Sequence, residues 1–237
     1  MIFAARALRA CALGDVLASV VLLSGCVSNV SGTAVRAQGA DPIDVPPLDE
    51  SQLDDVLLSI RELNGIMGSS RMTITVELEE MADHSADVSD PDCLGAMYGA
   101  EELVYQSSDW TAVRDQVASE PDEDNEHWVE QTAVLYPSAE KAQEFFDNSQ
   151  ASWEDCAGSA VSVDDADSSY LWQIDDVTAE DTMITQFSTQ EDADGWGCQH
   201  ALSVVSNVTV EAWACGYSIT DEGATIAKDI VANAAQK

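Results

Sequence analysis

The segment GCQHALSVVSNVTVEAWACG, residues 197–216, reads as two β-strands joined by a two-residue turn. Gly197 to Val205 and Val208 to Gly216 are rich in Val, Ala, Trp and Ser with partial alternation. Ser206-Asn207 between them is a hairpin turn, Asn being able to adopt φ > 0. With that turn, Cys198 and Cys215 lie equally far from its centre and must face each other. Counting outward from the hydrogen-bonded 205:208 pair puts them at a non-hydrogen-bonded site, where Cα atoms approach closely enough for a bridge. The segment therefore predicts an antiparallel hairpin stapled at its open end.

A disulfide needs an oxidising compartment, and the start of the chain supplies the route to one. Arg6 and Arg9 precede a largely apolar stretch from Ala10 to Leu23, which ends in Leu23-Ser24-Gly25-Cys26. This is the order of a signal peptide, and the tetrapeptide matches the lipobox, in which the cysteine is joined to diacylglycerol before cleavage in front of it. An uncleaved anchor is the alternative, but the apolar run is about 14 residues against the roughly 20 that span a bilayer. Asp15 departs from the pattern, although Val16 to Leu23 remains unbroken. The reading is a signal peptide over 1–25, a lipidated flexible tether over 26–48 and one folded domain over 49–237. Cys26 is the lipidation site, which places the chain on the extracytoplasmic face of the cell membrane.

Cys11 leaves with the signal peptide and Cys26 carries lipid, so Cys93, Cys156, Cys198 and Cys215 remain. Four cysteines in an exported chain suggest two disulfides and allow three connectivities. The hairpin register selects Cys198–Cys215, and Cys93–Cys156 follows by elimination. Zinc is the competing use, but no Cys-x-x-Cys spacing is present.

The 44 acidic against 9 basic residues give a formal net charge of −35. Such a charge repels phosphates and anionic lipid heads, which disfavours nucleic acid and leaves the lipid as the sole membrane contact. Six tryptophans and 46% apolar residues argue for a folded core.

Leu53, Val56, Leu57, Ile60 and Leu63 recur at helical spacing and predict one amphipathic helix over 49–68. Met72 to Leu78 alternates as a half-buried strand, and Asp90-Pro91 opens a short helix carrying Cys93. Strands are predicted over 110–117 and 128–136, separated by an acidic loop at 120–126. A helix follows from Pro137-Ser138 to Cys156, with Ala142, Phe145, Phe146 and Trp153 near one face. Further strands at 170–174 and 183–187 lead to the hairpin, and a helix over 221–235 closes the chain. Runs of neighbouring strands with helices between them indicate an α+β fold, a mainly antiparallel sheet flanked by helices.

Catalytic motifs are absent. There is no Gly-x-Ser-x-Gly, every mature cysteine is assigned, and His84, His127 and His200 are far apart in sequence. Asp192-Ala193-Asp194-Gly195 imitates part of a calcium loop, but Gln190 and Ala201 occupy ligand positions, so neither a metal nor a cofactor is expected. The aromatics are the better binding candidates. Tyr105, Trp110, Trp128 and Trp172 are the candidate cleft residues among the rings that also include Tyr136, Trp196 and Trp213, most of which core packing explains.

Several of these features together resemble the PknH-like extracellular domain. They are the lipobox, Leu57-Leu58, Pro91-x-Cys93, Trp110-Thr111-x-Val113-Arg114, Tyr136-Pro137-Ser138-Ala139 leading to Phe145-Phe146, Trp153-x-x-Cys156, Cys198-Gln199-His200-Ala201, and Asn207-Val208 to Cys215-Gly216. That domain is the sensor of a mycobacterial transmembrane Ser/Thr kinase and also occurs in lipoproteins. The resemblance covers roughly residues 50 to 236. It implies an antiparallel sheet flanked by helices, two disulfides pairing sequence neighbours, and a solvent-open cleft for a ligand. No Gly-rich phosphate loop, His-Arg-Asp or Asp-Phe-Gly occurs, so phosphorylation does not carry over. The expected function is a lipid-anchored ligand-binding or sensor-like domain for an unknown small molecule or envelope component. A structural, partner-binding lipoprotein is the alternative, and an exported hydrolase the lesser one.

Overall fold

The computed structural model describes residues 45–121, 125–165 and 168–237. The predicted signal peptide, Cys26, the predicted tether up to residue 44 and positions 122–124 and 166–167 lie outside the described residues.

The described chain forms β1 (Thr73–Leu78), β2 (Ala112–Ser119), β3 (His127–Leu135), β4 (Ala160–Asp165), β5 (Ser168–Ile174), β6 (Thr178–Glu180), β7 (Met183–Gln190), β8 (Gly197–Val205) and β9 (Val208–Gly216). The helices are α1 (Ile60–Met67), α2 (Leu94–Met97), α3 (Glu102–Tyr105), α4 (Ala139–Cys156) and α5 (Glu222–Ala234). All strands join one antiparallel sheet of order β1-β2-β3-β9-β8-β7-β5-β4, with β6 on β7.

The β8–β9 hairpin has the predicted register without a slip. Val205 faces Val208, Cys198 faces Cys215, and the bridged pair has a Cα separation of 4.0 Å. The turn differs in one respect: the left-handed residue is Ser206, at φ 52°, and not Asn207. Asn207 is buried and its amide has another task. Its Oδ1 accepts from Leu48 N–H at 2.7 Å, and its Nδ2 donates to the carbonyls of Leu48 and Tyr136, each at 3.0 Å.

Strand pleating divides the core in two. Val208, Val210, Ala212 and Ala214 of β9 face Ile226, Ala227 and Ile230 of α5, together with Leu53, Val56 and Leu63. On the opposite face, Leu202 and Val204 of β8 pack beneath Ala142, Phe145, Phe146 and Trp153 of α4. Ser138 caps α4, its Oγ accepting from Lys141 N–H. The helix ends at Cys156, bridged to Cys93 with a Cα separation of 5.6 Å. α5 lands so closely on β8 that a Cβ at Gly223 would meet the Gln199 carbonyl oxygen at 2.6 Å.

The helix predicted over 49–68 is instead a short 3-10 turn at Glu50–Gln52 and α1. The intervening backbone keeps only i→i+3 turn bonds, Asp55 N–H to Gln52 O and Val56 N–H to Leu53 O, and beyond them is held by side chains. Gln131 pairs with both the N–H and the carbonyl of Leu58, each at 2.8 Å, and Asn233 Nδ2 donates to Val56 O at 3.0 Å. A new helix then begins at Ser59, whose capping box with Glu62 restarts the hydrogen bonding. β1 is a sheet edge and less buried than its alternation suggests, with Val76 41% exposed beside a register shift between Ile74 and Val76. Glu120, read as part of a solvated acidic loop, is buried and accepts from Ser69 Oγ and His127 N–H.

Candidate ligand-binding cleft

Period-2 pleating places cross-strand rows of side chains on the α4 face of the sheet. Trp128, Cys215, Cys198 and Ser188 form one row, followed by Glu130, Trp213, His200 and Gln186, then by Thr132, Glu211, Leu202 and Ile184. Where helix cover ends, the first two rows open into a cavity of about 230 Å³. The Cys198–Cys215 bridge, Trp128, Trp172, Trp196 and Trp213 line it, with Met97, Tyr98, Val163, Glu130 and Ser188. Two buried polar atoms of that lining, Ser188 Oγ and Trp213 Nε1, have no hydrogen-bond partner among the described residues.

Of the four aromatics singled out from the sequence, Trp128 and Trp172 line the cavity. Tyr105 and Trp110 do not. Tyr105 is buried under α4, stacked on Phe145 at 4.1 Å, while Trp110 packs partly buried against the same core. Trp196 and Trp213 take their places. Trp213 could have been found, because the hairpin register puts it on the face of the disulfide.

Behind the cavity lies a group of acids that the sequence reading missed. Glu101, Asp115, Glu130 and Glu211 are all buried. Asp115 accepts from Thr132 Oγ1 at 2.7 Å and shares a hydrogen bond with Glu130. Burial pushes the Glu130 carboxyl well above its usual range, and the charges of Asp115, Glu211 and Glu101 push the same way. Burial likewise raises Asp115 to about 6, against the lowering effect of Thr132. Tyr105 donates its hydroxyl to Glu211, and burial together with that carboxylate holds the phenol well above the ordinary value.

His200 Nε2 bonds Glu211 Oε2 at 2.9 Å. Its ring lies between Trp153, at 4.0 Å, and Trp213, at 4.2 Å, and burial depresses its basicity despite Glu211. A His–carboxylate pair is the arrangement a hydrolase would need, but this one is 1% exposed on the His side and covered by two indoles, so no substrate reaches it. A second pair stands nearer the rim. His84 Nδ1 is 2.5 Å from Glu101 Oε1, and its ring stacks on Tyr98 at 4.6 Å. The bond to Glu101 raises the His84 pKa.

The profile of the PknH-like extracellular domain matches residues 48–237. The chain belongs to the PknH-like extracellular domain family. The crystal structure of the extracellular domain of PknH from Mycobacterium tuberculosis matches this PknH-like domain with a TM-score of 0.78 at 40% identity. The match covers 81% of this chain and 99% of that one. The Ser/Thr-protein kinases PknH of Mycobacterium bovis and Mycobacterium tuberculosis are each 41% identical to it over 191 residues. That alignment takes in 80% of this chain but only 32% and 30% of those kinases, so the chain spans about a third of their length. The PknH-like fold and its antiparallel sheet therefore stand on structure and on kinship together, and the two sequence-neighbour disulfides stand on the structure.

Proposed function

We propose that this chain is a lipid-anchored, sensor-like module on the extracytoplasmic face of the cell membrane, binding a small molecule in the indole cleft. The observation that carries the reading is the cavity itself. Four indoles and a disulfide give it apolar walls, and a few convergent polar groups, two of them unpartnered, supply orientation; binding pockets are built this way. Leu23 to Cys26 supports the anchor, and among the described residues no helix is long and apolar enough to cross a membrane. Kinship with an extracellular domain supports the location.

Native mass spectrometry tests the binding. The protein is recovered from its own envelope extract alongside a Trp128→Ala/Trp172→Ala variant. The reading expects a small-molecule adduct on the parent chain that the variant loses. Absence of any adduct, or equal retention by the variant, would overturn it.

A further inference from the structure

Resting on the cleft reading above, we propose that the occupant is a small organic cation with a nearby oxygen acceptor, an amino or ammonium alcohol. Its nitrogen lies among the indoles beside Glu130, and its oxygen meets Trp213 Nε1 and Ser188 Oγ.

Three observations select this chemistry. Among the described residues the cavity lining contains no Lys, Arg or His, and its one acidic group, Glu130, is backed by Asp115 on β2, Glu211 on β9 and Glu101 in the segment before α3. Two bases touch these acids: His200, which burial makes less basic, bonds Glu211, and His84, whose pKa is raised by Glu101, bonds that carboxylate nearer the rim. Gly99 lets the carboxyl sit where it does, since a Cβ there would meet Glu130 Oε1 at 2.8 Å. The cavity thus offers a carboxyl that can ionise against a cation inside apolar walls, and with −35 on the whole chain it repels anions.

The walls give the second selection. Indole is the strongest cation–π partner among side chains, and aromatic cavities with a carboxylate are how ammonium groups are recognised. Among the described residues no group of His, Cys, Asp and Glu has the arrangement to hold a metal ion, which directs the charge toward an organic cation.

The third is the pair of unpartnered groups. Trp213 Nε1–H can only donate, so a bare hydrocarbon cation leaves it unsatisfied. A hydroxyl on the same molecule accepts from it and can exchange a hydrogen bond with Ser188. Charge balance is direct: the proton that Glu130 and Asp115 hold between them leaves to solvent as the cation arrives. Binding therefore strengthens as pH rises.

Tryptophan fluorescence and calorimetry on the purified chain test this with choline as the probe. Its neutral carbon isostere 3,3-dimethylbutan-1-ol and the hydroxyl-free tetramethylammonium serve as comparisons. Choline should bind at least tenfold more tightly than either, tighten several-fold from pH 5 to pH 7.5, and release a proton detectable from the buffer dependence of its heat. Glu130→Gln, with unchanged near-UV circular dichroism, should abolish both the preference for charge and the pH dependence. Equal binding of the isostere overturns the cation and leaves the cleft reading standing. Failure of all three probes while the parent chain retains its adduct does the same. Failure of both experiments removes the cleft reading as well.

Discussion

Asn207 holds both polar ends of Leu48, accepting from its N–H at 2.7 Å and donating to its carbonyl at 3.0 Å. A third bond, to the Tyr136 carbonyl, ties the start of α4 to the same side chain. Asn207→Ala would leave three buried backbone groups unpaired, at about 1–3 kcal/mol for a group that water does not reach. The expected loss of unfolding free energy is about 3 kcal/mol, measured by urea denaturation. A change below about 0.5 kcal/mol, the range of an ordinary surface substitution, would show that water replaces the amide and that the contact is incidental.

Removing the hairpin bridge by Cys198→Ala/Cys215→Ala should cost about 3 kcal/mol on chain-entropy grounds for so short a loop. The same substitution takes away part of the cleft wall, so indole fluorescence should change in the folded variant. Non-reducing peptide mapping of the parent checks the premise. Recovery of Cys198 joined to Cys93 or Cys156 contradicts the pairing.

The buried acids make stability fall as pH rises. Asp115 has a folded-state pKa of about 6 against 3.8 for the free group. Its contribution is complete below the lower value and lost as pH rises through the upper one, a swing on the order of 3 kcal/mol. Glu130, raised further by burial and its neighbours, and His84, raised by Glu101, act in the same sense. His200 opposes them, since burial depresses it and its contribution is lost as pH falls. With three groups against one, unfolding free energy should be greater near pH 5 than near pH 8, and Asp115→Asn should remove about 1 kcal/mol of the difference. A parent chain that gains stability with pH over that window would contradict the assignment.

Lipidation of Cys26 predicts that Cys26→Ala moves the protein out of the membrane fraction. Cell fractionation with metabolic labelling by a fatty-acid analogue reads both consequences. Unchanged membrane retention would replace the lipid with a membrane-spanning segment.

What could be read from residues alone depended on whether local pattern or distant side chains controlled the backbone. The hairpin was legible to the residue because turn length and period-2 pleating are both local, and α4 and α5 were legible because each has one apolar face. Residues 53–59 were not, since Gln131, Asn207 and Asn233 hold the backbone around them from far along the chain. β4 was missed because its alternation lasts only through Val161 and Val163 before acidic residues follow. Half of the cleft was found by naming Trp128 and Trp172. The acids behind it were hidden by abundance: among 44 carboxylates, only the assembled register shows that Asp115, Glu130 and Glu211 share one face with the disulfide.

The β8–β9 hairpin also works as a ruler. Its turn grips Leu48, and its open end forms the floor of the cavity. Seven residue steps separate Cys198 from Val205, roughly 23 Å at about 3.3 Å per step. Both strands are interior to the sheet, flanked by β3 and β7, so that length cannot stretch or buckle without breaking ladders on either side. The cavity is therefore held at a set stand-off from Leu48.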